Sequence, residues 1–258
     1  MTIIQALILG IVEGITEFLP ISSTGHLILT SKLLGVADSN FTKSFEIAIQ
    51  FGAILSVVVF YWHKFYKNKE NWKKVFTAFI PTAIIGFLLY KIIKGFLLSN
   101  ATIVVWSLFL GGVVLILFEI WYKKNNLILA DKTKEISYKK SFLIGLFQSL
   151  AIIPGVSRSG ATIIGGMSVG ISRQAIVEFS FLLAVPTMAA ATGYDLLKSA
   201  GSFSFNQIHI LAIGFIVSFF VAMASIKWLL YFIKNHTFIF FGYYRIIAAL
   251  VFWFLVVR

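Results

Sequence analysis

Apolar residues in this chain occur in long runs with few or no charges. A helix that crosses a membrane needs roughly 20 predominantly apolar residues, and six runs reach that length. They cover residues 44–62, 75–97, 101–122, 175–197, 207–232 and 238–257. The pattern predicts an all-α polytopic membrane protein with about six full spans.

Two further apolar regions, 2–35 and 141–170, are each interrupted near the middle by a polar cluster. The interruptions read PISSTGH at 20–26 and PGVSRSGAT at 154–162. A half-length apolar stretch, a break and a second half-length stretch predict a re-entrant helix hairpin. Non-helical backbone at membrane depth is tolerated only where protein or a water-filled cavity surrounds it. We therefore expect the two breaks to mark a cavity.

The two interrupted regions align with each other at a shift of 135 residues without a gap. The shift pairs Gly10 with Gly145, Ser22 with Ser157, Gly25 with Gly160, and Glu13 with Gln148. Three spans follow each region, and because three is odd the second copy enters from the opposite face. The sequence thus predicts an inverted-topology repeat with two re-entrant helix hairpins. It forms one integral membrane domain over 1–258, with repeats of about 1–122 and 141–258 joined by a cytoplasmic loop at 123–140.

The amino-acid composition agrees with a membrane location and excludes several classes of protein and of structural site. The chain is 59% apolar and 12% charged, with a mean hydropathy of +0.92. Soluble domains average about 45–50% apolar and about 25% charged residues, so a soluble fold is excluded. The absence of Cys excludes disulfides and Cys-ligated zinc. A net charge of +12 is attributed to basic loops rather than to nucleic-acid binding.

The distribution of lysines predicts how the chain is oriented in the membrane. Segment 63–74 carries five lysines and segment 123–140 carries six. Two spans separate these segments, so they share one side, which the positive-inside rule makes cytoplasmic. The first hairpin is then expected to open to the outside and the second to the cytoplasm.

Glu13 and Glu17 stand four residues apart, which places them on one face of a helix. Two like charges on an apolar helix require a cation, a proton or a basic partner between them. A hard divalent ion such as Mg²⁺ or Ca²⁺ would satisfy both carboxylates, which makes Glu13 and Glu17 candidate metal ligands. The alternative is an interfacial pair that faces water.

The first break combines a helix stop with a helix start. Pro20 ends one short helix, and Ser22, Ser23 or Thr24 can cap the next. The free N–H groups at such a start suit an anion such as phosphate, so Ser22 is also a candidate phosphate-binding residue. His26 lies in the first turn and is the favoured general acid or base, with Ser23 as a candidate nucleophile. The alternative is that the hydroxyls only cap the helix.

Arg158 is the strongest signal in the second break. It lies in a run otherwise uncharged from 141 to 171, where a charge is costly unless an anion accompanies it. Its planar fork matches phosphate oxygens. Candidate phosphate-binding hydroxyls around it belong to Ser157, Ser159 and Thr162. The alternative is a structural pairing of Arg158 with Glu13 or Glu17.

Together these groups suit phosphoryl transfer from a lipid-linked phosphate. The stretches EGITEFLPISSTGH at 13–26 and PGVSRSGAT at 154–162 resemble the two signature motifs of the bacterial undecaprenyl-diphosphate phosphatase family, also called the bacitracin-resistance protein family. The similarity extends over essentially the whole chain, including SFLLAVP at 180–186.

This resemblance implies hydrolysis of undecaprenyl diphosphate to undecaprenyl phosphate and inorganic phosphate, which recycles the carrier lipid of peptidoglycan synthesis and confers bacitracin resistance. It also implies dependence on a divalent cation and a bacterial plasma-membrane site that opens to the outer face. The expected partners are the polyprenyl diphosphate and membrane lipids, with a second copy in a homodimer as a candidate. The positions that match the family's functional residues are Glu13, Glu17, Ser22, Ser23, His26, Ser157, Arg158 and Thr162. Of these, Glu17, Ser23, His26 and Arg158 are the expected catalytic residues. The nucleophile stays open between Ser23, His26 and water.

Two other functions compete with this one. Type 2 phosphatidic-acid phosphatases need a second histidine shortly after the arginine, and residues 159–173 contain none. The stronger alternative is a transporter of undecaprenyl phosphate, because inverted repeats with broken helices are a transporter architecture.

Overall fold

The computed structural model describes residues 1–37, 39–63, 69–92, 100–125, 135–199 and 207–258. This part of the chain forms ten α-helices and no β-strand, which confirms the all-α prediction. The helices are α1 (Ile3–Thr16), α2 (Ser23–Leu33), α3 (Asn40–Phe60), α4 (Lys69–Ile92), α5 (Ala101–Lys124), α6 (Tyr138–Ser149), α7 (Arg158–Ser168), α8 (Arg173–Ser199), α9 (Ile208–Phe232) and α10 (Ile239–Phe252). A 3₁₀ turn over Leu150–Ile152 follows α6, and a π-helical turn over Trp253–Val257 follows α10.

Six of these helices are long and apolar enough to cross a membrane, as the sequence predicts. They are α3, α4, α5, α8, α9 and α10, and the last of these spans only together with its π-helical turn, as a stretch of 18 residues over Ile239–Val256. Helices α3 and α4 begin earlier than the apolar runs at 44 and 75, because their polar first turns are also helical. The Ser39 hydroxyl, for example, caps α3 by accepting a 3.1 Å hydrogen bond from the Thr42 amide.

The four remaining helices are too short to span. Helix α1 has 14 residues, α6 has 12, and α2 and α7 have 11 each. At about 1.5 Å per residue none exceeds about 21 Å, against about 30 Å of hydrocarbon. The interruptions between α1 and α2 and between α6 and α7 fall at the predicted breaks, and the two helices of each pair contact each other.

Each short first helix packs against one long helix. Helix α1 contacts α9, and α6 contacts α4. Glycines allow a close approach at both interfaces. A Cβ at Gly10 would lie 2.9 Å from the Gly214 carbonyl oxygen, and one at Gly145 would overlap the Ala78 carbonyl. Small residues at helix contacts are typical of membrane proteins, where close backbone packing replaces the hydrophobic effect. Further long-helix contacts join α3 to α9, α4 to α8, α3 to α8, and α5 to α10.

The largest buried apolar cluster surrounds the first break. Phe18 of that break packs edge-on against Phe181 of α8 at a ring-centroid distance of 5.4 Å, and both side chains are fully buried. Ile163 of α7 belongs to the same cluster. The broken segments therefore rest on a packed core, which holds their polar side chains in place.

The beginnings of α4 and α6 lie side by side. The Tyr138 hydroxyl donates a 2.7 Å hydrogen bond to Glu70 Oε1. This contact puts the ends of segments 63–74 and 123–140 on one side of the helix assembly, as the lysine pattern predicts. Four of the lysines that carry that prediction, Lys64, Lys67, Lys132 and Lys134, lie outside the described residues.

A buried ion pair joins the ends of three spans. Arg173 at the start of α8 donates to both carboxylate oxygens of Glu119 on α5, at 2.8 and 3.1 Å. Glu119 Oε1 also accepts a 2.9 Å hydrogen bond from the Phe238 amide, next to the first residue of α10. The Arg173 guanidinium lies over the rings of Tyr122 and Phe238. The pair thus ties α5, α8 and α10 together.

We expect Arg173→Met to lower the free energy of unfolding by about 3–5 kcal/mol, because it leaves the Glu119 carboxylate buried without its cation. The matched control is Lys73→Met, which removes the exposed 3.6 Å pair of Lys73 with Glu70 and should cost no more than about 1 kcal/mol. Unfolding of the detergent-solubilised protein measures both. Equal losses in the two variants would contradict a structural role for the buried pair.

Candidate functional site

The first break folds the chain back so that Ser23 meets Glu17. Ser23 is the first residue of α2, and its hydroxyl donates a 2.5 Å hydrogen bond to Glu17 Oε2. Arg158, the first residue of α7, donates from Nη2 to the other oxygen of Glu17 at 3.3 Å. Three residues predicted to be catalytic, from breaks far apart in sequence, therefore form one contact group.

The turn that produces this contact is strained at Ser22. Its backbone has φ 72° and ψ 94°, and among the described residues no other non-glycine residue lies in the left-handed region. Such a conformation costs on the order of 1–3 kcal/mol and persists only where the surroundings enforce it. The equivalent serine of the second break, Ser157, has φ 18°. In the second break Gly155, with φ 94°, takes a positive φ at no such cost.

Arg158 retains one donor without a partner. Its Nη1 donates to the Ser180 carbonyl at 3.0 Å, and Nη2 is bound to Glu17. Its Nε is buried and has no hydrogen-bond partner among the described residues. The structural pairing of Arg158 with Glu17 is thus present, and the fork still has an N–H group available for an anion.

Glu13 is fully buried one helical turn from Glu17. Neither of its carboxylate oxygens has a hydrogen-bond partner within the described chain. The charged side chains that interact electrostatically with the Glu13 carboxylate are those of Glu17, Glu46 and Arg158. Buried oxygens without partners, beside a second carboxylate, suit a hard divalent cation.

The two carboxylates supply only part of a coordination shell. The described residues contain no group of three or more His, Cys, Asp or Glu side chains that would hold an ion alone. Mg²⁺ is commonly held by one or two carboxylates, with substrate phosphate and water completing the shell. Glu13 and Glu17 fit that kind of site.

His26 lies in the first turn of α2, as predicted, and its two ring nitrogens have hydrogen-bond partners other than Ser23. Its Nδ1 is 2.8 Å from the Ser22 carbonyl oxygen and its Nε2 is 2.9 Å from the Tyr244 hydroxyl. A carbonyl only accepts, so Nδ1 carries a hydrogen, and in the neutral ring Nε2 accepts from Tyr244. The Tyr244 ring stacks on the imidazole at 5.6 Å. Both ring nitrogens are therefore engaged, and neither contacts Ser23.

The predicted phosphate-binding hydroxyls cluster at the two helix starts. Ser22 and Ser157 cap α2 and α7 by accepting from the amides of Gly25 at 3.4 Å and Gly160 at 3.1 Å. Ser159 Oγ lies 3.4 Å from Ser157 Oγ. Thr162 is buried one turn further along, and its hydroxyl donates to the Arg158 carbonyl at 2.8 Å.

The two breaks touch each other directly. A Cβ at Gly25 would lie 3.6 Å from Gly155 Cα, and a Cβ at Gly160 would lie 3.6 Å from Pro20 Cβ. Each of these glycines follows a capping serine by three residues, so the two contacts are equivalent. The starts of α2 and α7 therefore meet at one point, with the hydroxyl groups of both breaks around it.

The side chains gathered at this point are buried. Glu13, Glu17, Ser23 and His26 are all less than a tenth exposed. A cavity of about 330 Å³ is lined by Phe60, Tyr61, His63, Glu178 and Leu230. A second, of about 600 Å³, is lined by Glu119, Ile120, Lys123, Lys124, Thr237 and Ile239. Neither of these two cavities is lined by a predicted site residue.

Sequence reasoning missed two residues of α10. Tyr244 binds His26, and the neighbouring Arg245 is buried and donates to the carbonyl oxygens of Pro20 and Gly155. A signal for Arg245 existed, because an arginine inside an apolar span is costly without partners, as argued for Arg158. Tyr244 carried no comparable signal, since tyrosine is common in spans.

Comparison with known proteins places the chain in a family. The bacitracin resistance protein BacA family matches residues 6–251. The chain belongs to this family. It is 58% identical over 252 residues to the undecaprenyl-diphosphatase of Aquifex aeolicus, covering 98% of both chains. The proteins of the same name from a Sulfurihydrogenibium species and Bdellovibrio bacteriovorus are 53% and 50% identical over 253 and 254 residues, which is 98% and 97% of this chain and 99% and 95% of theirs.

We expect Ser22→Gly to leave this BacA-family chain at least as stable as the native protein, because glycine relieves the strain at φ 72° and replaces a serine cap at little cost. Ser22→Ala keeps the strain and loses the cap, and should lower the free energy of unfolding by about 1 kcal/mol. Thermal unfolding in detergent distinguishes the two variants. A glycine variant less stable than the alanine variant would contradict strain at Ser22.

Proposed function

We propose that this chain hydrolyses undecaprenyl diphosphate to undecaprenyl phosphate and inorganic phosphate. The observation that carries the proposal is the Ser23–Glu17–Arg158 group, a hydroxyl on a carboxylate beside a guanidinium. It lies in a chain that matches proteins named undecaprenyl-diphosphatase over nearly its whole length. By its family, the reaction is expected to return the carrier lipid to peptidoglycan synthesis and to confer bacitracin resistance.

Ser23 is the nucleophile in the proposed mechanism. Glu17 Oε2 already accepts the Ser23 hydrogen and takes the proton as Oγ bonds to the terminal phosphorus. The bond from that phosphorus to the bridging oxygen breaks, and undecaprenyl phosphate leaves with the bridging oxygen. His26 is the weaker candidate, because both of its ring nitrogens are engaged.

Water completes the reaction in a second step. A water oxygen bonds to the phosphorus of phosphoserine while the bond to Ser23 Oγ breaks. Glu17 returns its proton to Ser23, and the released phosphate keeps both hydrogens of the water. Atoms and charge balance over the two steps, and Ser23 and Glu17 return to their starting protonation states.

Arg158 and the two helix starts bind the phosphate oxygens. The Nε of Arg158 has no partner among the described residues, and its fork is suited to the charge of the transferring phosphoryl group. The starts of α2 and α7 add free N–H groups and the hydroxyls of Ser22, Ser157 and Ser159. Thr162 supports this group from the next turn, through the Arg158 carbonyl.

His26 holds the turn in this mechanism. Its Nδ1–H binds the Ser22 carbonyl, directly before the nucleophile, and Tyr244 fixes the other side of the ring. The pair is placed to relay a proton between the first turn of α2 and α10.

A divalent cation, Mg²⁺ or Ca²⁺, would be held by Glu13 and Glu17. When bound it would neutralise charge on the diphosphate oxygens. The residues themselves support this assignment, because Glu13 is buried with no partner for either oxygen within the described chain.

We also propose that the chain is one domain built as an inverted repeat with two re-entrant hairpins. The bounds of α2 and α7 coincide after the 135-residue shift. The helix contacts of one half also recur in the other half. Helix α1 packs on α9, and its counterpart α6 packs on α4. Likewise α3 packs on α9, and its counterpart α8 packs on α4. Each of these pairs is what a two-fold relation between the halves requires.

The proposed location is the bacterial plasma membrane, with the site opening to the outer face. The support is the lysine content of segments 63–74 and 123–140, whose ends meet at Glu70 and Tyr138. The homodimer stays a prediction from the sequence.

The function is tested by phosphate release from a C55 diphosphate by purified protein in detergent, where no membrane side exists. We expect release by the native protein and a loss of at least about 10³-fold in Ser23→Ala, since no other hydroxyl contacts Glu17 among the described residues. Ser31→Ala is the matched control, because Ser31 lies on α2 and its buried hydroxyl has no partner in the described chain.

Acid quenching during turnover should trap phosphate on Ser23. Full release by Ser23→Ala would contradict the serine mechanism and favour water as the nucleophile. A native protein that releases no phosphate but moves undecaprenyl phosphate between leaflets would support the transporter instead.

The metal assignment predicts loss of phosphate release in a chelator and recovery on adding Mg²⁺ or Ca²⁺. The same ions should raise the unfolding temperature of the native protein, because they bind the folded state. Glu13→Gln should abolish both effects, whereas Glu70→Gln, at an exposed carboxylate, should abolish neither. Full turnover in chelator would leave Glu13 and Glu17 as acid–base groups only.

A further inference from the structure

Arg245 is a buried arginine that binds only backbone. It lies on α10 with 3% of its surface exposed. Its Nε donates to Leu108 O at 3.2 Å and its Nη1 to Pro20 O at 3.2 Å. Its Nη2 donates to Ser107 O at 3.0 Å and Gly155 O at 2.9 Å. Within the described residues no carboxylate pairs with it.

Two of these four carbonyls belong to matching positions in the two breaks. Pro20 and Gly155 occupy the same position in the two breaks after the 135-residue shift, each two residues before a capping serine. One planar guanidinium therefore holds both turns, the one that leads to Ser23 and the one that leads to Arg158. Ser107 and Leu108 fix the same guanidinium to α5.

The chain leaves room for this arginine at Gly111. A Cβ at that position would overlap Nη2 and Cζ of Arg245. Position 111 must therefore lack a side chain for Nη2 to reach the Ser107 and Gly155 carbonyls. Gly111 offers a second way to disturb the contact without removing the arginine.

We propose that Arg245 is a positioning residue that fixes the distance between the two turns, so that both bind one diphosphate, and that it thereby sets the preference for diphosphate over monophosphate. The inference rests on the proposed function. Each helix start offers N–H groups to one phosphoryl group. A diphosphate bridges both starts, whereas a monophosphate uses one. Only the diphosphate then depends on the distance that Arg245 sets.

Lysine does not replace arginine in this role. Its ammonium group is a single point with three donors, whereas the guanidinium presents a rigid fork that reaches carbonyls on opposite sides. Arg245→Lys keeps the charge and releases at least one of the four carbonyls. Gly111→Ala keeps the arginine and displaces its fork.

The test measures binding, without turnover, to two ligands with the same short polyprenyl tail. One carries a methylenebisphosphonate, whose carbon bridge resists hydrolysis, and the other a monophosphate. We expect the native protein to bind the bisphosphonate at least tenfold more tightly. In Arg245→Lys and Gly111→Ala this ratio should fall about tenfold, or about 1.4 kcal/mol, with monophosphate affinity nearly native.

Gly86→Ala is the matched control, because a Cβ there meets no atom closer than Ile152 Cδ1 at 3.9 Å. It should keep the native ratio. A native ratio in folded Arg245→Lys or Gly111→Ala would overturn the proposal, and an equal loss for both ligands would show a merely structural role. If Arg245→Lys does not fold, Gly111→Ala decides.

The two proposals fail separately. Native protein that prefers the bisphosphonate but releases no phosphate from the C55 diphosphate contradicts the hydrolase function alone. Native protein that releases phosphate but binds both ligands equally contradicts the role of Arg245 alone.

Discussion

Backbone that leaves the helix inside an apolar assembly must find its hydrogen bonds within the protein, and the meeting of the two breaks satisfies that requirement. The chain leaves the helix at both breaks, and a hydrogen bond and a shared arginine join the two. The Ser157 hydroxyl reaches the Leu19 carbonyl at 3.4 Å, and Arg245 binds the carbonyls of Pro20 and Gly155. Because neither break is satisfied alone, the two halves of the chain must meet at this point, and the reactive side chains meet with them.

Charge inside the assembly is only partly balanced. Arg158 offsets Glu17, and Arg173 offsets Glu119, in pairs whose side chains are almost fully buried. Glu13 and Arg245 have no such ion pair among the described residues, but only the carboxylate oxygens of Glu13 are left without hydrogen bonds, because Arg245 donates to four backbone carbonyls. The group left unbalanced beside Glu17 is therefore a carboxylate, which suits a cation.

The sequence was informative where one local pattern decides the outcome. Long apolar runs gave the six spans, and Pro and Ser clusters gave the breaks and both helix caps. Arg158 and Glu17 were found because charges in apolar runs need partners. The contact of His26 with Tyr244 was beyond reach, because it joins residues 218 positions apart with no pattern to link them. The burial of Ser23 was missed for a related reason, since motifs show which groups gather and not what covers them.

A site with true two-fold symmetry would present the same groups in both directions. The shift that pairs Ser22 with Ser157 sets Ser23 opposite Arg158 and Glu13 opposite Gln148. One half thus supplies the hydroxyl and the carboxylates, and the other supplies the guanidinium. A headgroup held between them meets different chemical groups on its two sides. In the proposed inverted repeat the two halves of the backbone are equivalent, and this difference comes from the side chains alone.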